Sequence, residues 1–420
     1  MRNRYHFSAK KGWINDPNGM IFAGGKYHLF YQYYPDDIKW GPMHWGHATS
    51  CNLSDWDEQE TALFPDDLGM IFSGSAILDT ENVSGFGSKE KPAMVLMYTS
   101  HDNEGPTEQQ SIAYSTDYIH FEKYEGNPVI KNTPEMSGYK KDFRDPKIVK
   151  NTVIGGFTAV FASGDKIEFY HSDDLKNWEK TGEFLPGENG GFGELCECPD
   201  LFSLECDGKT YYVLLMSQAI DTSKRDDGHL KFFMQYFYGD FDGKTFTASE
   251  GCKKSGPLYP DFGPDNYAAV TFANMREAVM LGWAENWDYV NDTIATDYQG
   301  AMTLPRKVSL VETKEGKRLC FEVYVSDKTS LDVRKFSLNP GEKREVVAGK
   351  LSLEVTGDEI IVTRDKAFPA HVSGKLDEDA FHIFKSKRFI DGSSDVEVIV
   401  DEGLVEIFAD GGLNVFTCRI

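Results

Sequence analysis

The sequence predicts an all-β protein: a five-bladed β-propeller followed by a C-terminal antiparallel β-sandwich. Three observations carry that expectation. First, short runs rich in Tyr, Phe, Val and Thr, such as KYHLFYQYY, AMVLMYTS, FTAVFAS, TYYVLLMSQ and AVMLGWAE, are punctuated by Gly, Asn and Asp, and long stretches of helical period are nearly absent. Second, a degenerate unit of strand, Ser/Asp-rich turn and aromatic recurs along the first 250 residues or so. Third, the texture changes after LPRKVSL (304–310) to strands with strict period-2 alternation and no trace of that unit.

The repeat reads HATSCNLSDWDE, then IAYSTDYIHFEKY, then EFYHSDDLKNWEK, and more weakly QYFYGDFDGKTF. Its aromatics, Trp56, Phe121, Trp178 and Phe246, lie 65, 57 and 68 residues apart. Self-similarity at a near-constant period points to a repeat architecture, and strands at this density fit propeller blades with enlarged loops. Four units reach about residue 250, and 260–310 has room for a fifth. Residues 1–310 are therefore expected to form the propeller, which carries the chemistry. Residues 318–420, with RLCFEVYV, KLSLEVTG, EIIVTR, VEVIVDEG and LVEIFADGG, are expected to form the sandwich as a structural module.

Composition narrows the function. Of 420 residues, 40 % are hydrophobic and 13 % aromatic, enough for a sizeable core. A formal charge of −23 disfavours nucleic acid and anionic lipid as partners, whereas a neutral sugar meets no such barrier. No apolar run approaches a membrane span. The opening MRNRYHFSAKKGW lacks an apolar signal core, so a cytoplasmic protein is expected, with secretion after removal of a signal peptide as the alternative. Seven cysteines in a long chain fit reduced thiols better than a disulfide framework. Cys196, Cys198 and Cys206 cluster, but no CxxC or His pair completes a zinc set, so no metal and no cofactor is expected. Oligomeric state is left open.

The stretch GWINDPNGM (12–20) has the residues of a turn, yet it is flanked by Trp13, Ile14 and Met20, which a surface turn does not need. The repeat serves as a ruler here. Asp16 lies 40 residues before Trp56, Asp145 lies 33 before Trp178, and Glu197 lies 49 before Phe246. Each is followed, at once or one residue later, by proline. The early strand of a blade is nearest the axis, so the three acids are expected to converge at one end of the channel. Pro17 and Pro146 are expected to hold Asp16 and Asp145 in extended backbone. Three acids without a metal-ligand pattern suit glycoside hydrolysis, where one carboxyl attacks and another donates a proton. With 67 Asp and Glu in the chain a single Asp-Pro match is unremarkable, but three in register favour function.

Taken together, WINDPNG, FRDP and ECPD resemble the signature set of glycoside hydrolase family 32, the β-fructosidases. FSGSA (72–76), DFGPDNYAAVTF (261–272), GWAENWDYVNDT (282–293) and GAMTLPRKVSL (300–310) resemble further blocks of that family, in the same order. The resemblance implies that Asp16 is the nucleophile, Glu197 the general acid/base, and Asp145 the residue that holds sugar hydroxyls and stabilises the transition state. It implies a fructose pocket at Asn15, Gln32, Trp40, Phe72, Ser73, Arg144, Cys198, Tyr267 and Trp287. The partner is then a fructoside, from sucrose to fructan, and the activity the retaining release of terminal β-D-fructofuranosyl units. Departures from the family's wording are Cys196 and Asn266 where aromatics are usual, Val270 for Gln, and Glu285, expected to add a charge beside the pocket. Alternatives are a sucrose-6-phosphate hydrolase, which would want more basic residues than Lys10, Lys11 and Lys39, an arabinan- or xylan-active propeller enzyme, and a non-catalytic fructan-binding protein.

Overall fold

The turn inside each repeat explains the form of the unit. In the computed structural model, which describes residues 2–102, 107–221, 231–292, 297–368 and 381–420, Leu53, Tyr118 and Leu175 take left-handed backbone, with φ of 64°, 67° and 63°. The N–H of each donates to a serine hydroxyl three residues earlier, Ser50, Ser115 and Ser172, at 2.8, 2.8 and 2.9 Å. Asn52, Asp117 and Asp174 accept the N–H groups that follow, as Asx turns do. The repeat aromatics then stand at the threshold of an outer strand. Trp56 precedes Asp57–Glu58, Phe121 precedes Glu122–Lys123, Trp178 precedes Glu179–Phe184, and Phe246 opens Phe246–Ala248.

Among the described residues, the chain between Gly12 and Val323 forms five sheets in sequence order. Their first strands are Gly12–Ala23 (sheet I), Met70–Asp79 (II), Phe143–Lys150 (III), Leu195–Cys206 (IV) and Tyr267–Thr271 (V). Each first strand packs against the next, and that of sheet V returns to that of sheet I. This ring is the arrangement of a β-propeller. It is sealed by a parallel pairing of Gly12 and Trp13 with Tyr298 and Gln299. Because the first strands have neighbours on both faces, those of sheets I and V are buried almost throughout instead of alternately.

Residues 333–419 form two further four-stranded antiparallel sheets. Sheet VI holds Val333–Leu338, Ser394–Asp401, Leu404–Ala409 and Asn414–Arg419, and sheet VII runs Glu342–Val347, Leu351–Val355, Glu359–Arg364 and Ile383–Lys387. Their apolar residues share one core that includes Leu353, Val355, Ile360, Val398, Ile407 and Phe416. One strand differs from the sequence expectation. RLCFEVYV, taken to open the sandwich, supplies most of Gly316–Val323, which pairs with Arg306–Thr313 as the outer strand of sheet V. The cause is local: the hairpin Thr313–Gly316 returns the chain directly onto its own sheet, with the Thr313 hydroxyl donating to the Gly316 carbonyl at 2.6 Å.

Polar groups are buried where sheet VI meets the propeller. Arg306 is inaccessible and contacts Asp261 (2.8 Å), Glu406 (2.9 Å) and the Thr417 hydroxyl (2.6 Å). His6 is wedged between Asp401 (2.8 Å) and Glu406 (3.1 Å). All seven cysteines are free thiols. No helix among the described residues is long and apolar enough to cross a membrane.

Candidate active site

All five inner strands carry a β-bulge, two residues facing one on the partner strand. Asn15–Asp16 face Gln32, Phe72–Ser73 face Thr99, Asp145–Pro146 face Phe161, Cys198–Pro199 face Met216, and Ala268–Ala269 face Gly282. A bulge re-aims the side chains beside it, and here five bulges bring theirs to one end of the ring. Asp145, Cys198 and Ala268 occupy equivalent bulge positions with φ of 60°, 45° and 53°. This corrects the expectation for Asp145: Pro146 does not hold it extended, because the bulge imposes a left-handed backbone that the surrounding sheet must maintain.

At that end lies a cavity of about 330 Å³ lined by Asn15, Asp16, Gln32, Trp40, Phe72, Ser73, Arg144, Asp145, Glu197 and Trp287, together with His101, Glu108, Lys141 and Asp142. Asp16 sits between Ser73, whose hydroxyl donates to its Oδ2 at 2.5 Å, and Asn15, whose amide donates to Oδ1 at 3.0 Å. Asn15 is oriented by the Trp13 indole N–H at 2.8 Å. Burial raises the pKa of Asp16, against the hydrogen bonds from Ser73 and Asn15, which lower it. Asp145 accepts the Cys198 N–H at 2.9 Å. Burial lifts its pKa to about 7, opposed by the Arg144 guanidinium and reinforced by Asp16 and Glu197.

Glu197 is held from two sides. Arg144 Nη2 donates to Oε1 at 3.0 Å, and the Tyr267 hydroxyl donates to Oε2 at 2.5 Å. Arg144 is gripped in turn by Glu108 (3.0 Å) and Asp142 (3.1 Å). Burial alone would lower its pKa, but Glu197, Glu108, Asp145 and Asp142 raise it well above the ordinary range. It therefore stays a cation at any working pH.

Two pocket residues from the sequence reading contribute from behind the surface. Cys198 and Tyr267 are absent from the cavity lining. The Cys198 thiol lies 3.4 Å from Asp16 and 3.7 Å from Asp145, and Tyr267 acts on Glu197. Gln32 donates to Asn18 (2.8 Å) and to the Ile71 carbonyl (3.0 Å), which ties sheet I to sheet II. Trp40 is 43 % exposed at the rim and meets Phe72 edge-on. Trp287 stacks on Trp13, with centroids 5.7 Å apart. Asn266, Val270 and Cys196 lie off the cavity; Val270 packs in the core shared by sheets I and V, and Cys196 accepts from Gln218. Glu285 requires correction. It is fully buried away from the cavity, paired with Arg419 at 2.6 Å, and its pKa rises to about 7 through that burial. Thr293, the last residue of its motif, lies outside the described residues.

Sequence reasoning missed His101, Glu108, Lys141 and Asp142. His101 lies flat on Phe72 (4.1 Å between centroids, 9° between planes) and bonds to its cross-strand partner Glu108 at 3.2 Å. Neither stands in a motif; their pairing is a matter of strand register. Asp142, two residues before Arg144 in KKDFRDP, was the one with a signal, since an acid beside a motif arginine invites an ion pair.

Comparison with known proteins agrees with this geometry. Residues 6–322 match the glycosyl hydrolases family 32 N-terminal domain. The chain is 43 % identical to a levanase of Bacillus subtilis over 76 % of its own length and 46 % of the levanase. It is 37 % identical to an extracellular exo-inulinase of Aspergillus niger over 74 % of its length and 62 % of that protein. It thus spans about half to three-fifths of these relatives. The crystal structure of an exo-inulinase from Aspergillus awamori superposes with a TM-score of 0.85 at 28 % identity, covering 100 % of this chain and 92 % of that one.

Proposed function

The chain belongs to glycoside hydrolase family 32, and from that premise we propose that it is a retaining β-fructofuranosidase releasing terminal fructosyl units from fructans, fructooligosaccharides or sucrose. The observation that carries this is the division of labour between two carboxylates across one cavity. Asp16 is held by donors that favour its charged form, as a nucleophile requires, while Glu197 is held separately by Arg144 and Tyr267. Glu197 protonates the glycosidic oxygen as Asp16 attacks the anomeric carbon, giving a covalent fructosyl-enzyme. Glu197 then takes a proton from water, which releases fructose with retained configuration. Asp145 receives the sugar hydroxyls and, with Asp16, stabilises the positive charge that develops on the ring.

The lining supports a neutral substrate. Five carboxylates, Asp16, Glu108, Asp142, Asp145 and Glu197, face two cations, Lys141 and Arg144, and Arg144 is already engaged by three of them. A phosphorylated sucrose would bring negative charge into this field, so the unphosphorylated sugar is the preferred reading. The test is fructose release from sucrose, inulin, levan and a phosphorylated sucrose by the protein and by Asp16→Asn. The expected result is release by the parent and a loss of about 10³-fold or more in the variant with its fold retained, because an amide is a poor nucleophile. A folded Asp16→Asn protein with near-normal turnover would falsify the assignment.

A further inference from the structure

The segment that follows the strand Val279–Trp283 reads Ala-Glu-Asn-Trp-Asp-Tyr. Trp287 lines the cavity, whereas Glu285, Asn286 and Tyr289 point into the protein and are inaccessible or nearly so. Asn286 fastens the segment to the propeller by donating to the carbonyls of Pro264 (2.8 Å) and Phe232 (3.2 Å). The other two reach the sandwich. Glu285 pairs with Arg419 at 2.6 Å. Tyr289 donates its hydroxyl to Asp265, whose second oxygen accepts from Arg364 Nη1 at 3.2 Å and from the Arg419 N–H at 2.7 Å.

Arg364 ends the strand Glu359–Arg364 of sheet VII, and Arg419 ends Asn414–Arg419 of sheet VI. Each sandwich sheet thus sends one guanidinium to the back of the segment that carries Trp287. The same Asp265 lies two residues before Tyr267, which holds Glu197. Apolar contact would join the two parts of the chain at less desolvation cost, since buried ion pairs are rarely more stabilising than packed hydrocarbon. What a close ion pair at Glu285 and the hydrogen bonds of Tyr289 and Arg364 to Asp265 add is direction, and these are directed at one wall of the cavity.

We propose that Arg419 and Arg364 of the C-terminal sheets are positioning residues for the substrate pocket, fixing through Glu285, Asp265 and Tyr289 the segment that presents Trp287. This rests on the reading of the cavity as a fructosyl pocket. The sandwich is then part of the binding apparatus, not only a structural module. Neither arginine lines the cavity. Loosening them displaces a wall that binds substrate and transition state alike, so KM carries the effect and kcat is nearly spared.

The experiment measures fructose release and the change of tryptophan fluorescence on titration with fructose, in full-length protein. Arg419→Gln and Glu285→Gln are each expected to raise KM about tenfold with kcat within about threefold, and to reduce the fluorescence response. Arg419→Lys should restore most of the loss. Arg388→Gln is the control: Arg388 is a buried arginine of the same sandwich, bonded to Thr356, Gly392 and Ser394 and not to this segment. It should lower Tm with KM unchanged. Wild-type KM in both Arg419→Gln and Glu285→Gln, or an equal rise in Arg388→Gln, overturns the proposal. A wild-type protein that releases no fructose and shows no fluorescence response overturns the pocket reading instead, and the proposal with it.

Discussion

Glu197 and Asp145 illustrate how a single side chain is specialised by what surrounds it. Both are acids near a proline in an inner strand, yet one is held by Arg144 and Tyr267 while the other sits on left-handed backbone beneath Cys198. Backbone in that region costs about 1–3 kcal/mol at a non-glycine residue, and it persists only where the fold over-determines it. The role proposed for Glu197 makes a specific demand at this scale. Replacing it by Gln removes the proton donor, a contribution of about 10²–10⁴ in rate. Glu197→Gln should therefore lose activity on sucrose or fructan by about that factor, and much less on a fructoside whose leaving group departs without protonation. Equal losses on the two substrates, measured as kcat/KM, would assign Glu197 to binding alone.

At the scale of the element, the inner strand with its bulge is the unit that makes the site, and the N-terminal segment is the element that locks the ring to the sandwich. The N–H groups of Arg4, Tyr5 and His6 all donate to the Asp401 carboxylate, at 2.7, 2.8 and 3.0 Å. The His6 ring completes the lock between Asp401 and Glu406. Burial by itself would lower the pKa of His6, but hydrogen bonds and charge from Asp401 and Glu406 outweigh it and raise the value above 6.5. A raised histidine adds stability that is complete below its unfolded pKa and is lost as pH rises through its folded pKa. Asp145 and Glu285, both raised to about 7, act at lower pH: their ionisation erodes stability as pH climbs from about 4 to about 7, and the effect is flat above that. Tm is therefore expected to fall as pH rises past 6.5, and His6→Gln should flatten the part of that fall not caused by the buried acids while lowering stability at pH 6 by about 3–5 kcal/mol. An unchanged slope above pH 6.5 in a folded His6→Gln protein would assign that loss to another group.

Over the whole molecule, the ring of five inner strands is open at one end and filled below. Two residues beyond the bulged Asp145 and Cys198, Lys147 and Asp200 form a buried pair at 3.1 Å. Lys147 also donates to the Thr271 carbonyl, and Asp200 accepts from the Thr271 N–H and hydroxyl. This buried cross-link joins sheets III, IV and V two residues along the inner strands from the bulges, and the proposed release of terminal units takes it as the floor that makes the cavity a dead end. Its volume of about 330 Å³ lies at the small end of the range of roughly 300–1,000 Å³ for ligand pockets. Such a site admits a chain terminus and excludes a chain interior. A time course on levan or inulin should show free fructose from the first minutes with no early pool of short oligomers. Tri- and tetrasaccharides appearing before fructose would mean an open cleft.

The sequence by itself determined the strand-rich class, the repeat and the candidate acids beside proline, because each depends on local chemistry. A serine three residues before a left-handed turn, an aromatic at the start of an outer strand, and an acid followed by proline are all written within a few residues of one another. Register and long-range burial are not. The strand Gly316–Val323 has the same alternation whichever sheet it joins, and only its hairpin with Arg306–Thr313 assigned it to sheet V. Glu285 reads as a pocket charge from its neighbours Trp283 and Trp287, but its partner Arg419 lies 134 positions further along the chain. His101 and Glu108 become wall residues through cross-strand pairing, and Asp145 takes its left-handed backbone from a bulge that no proline rule anticipates. In each case the deciding contact is one of strand register or of packing, about which periodicity and motif carry no information.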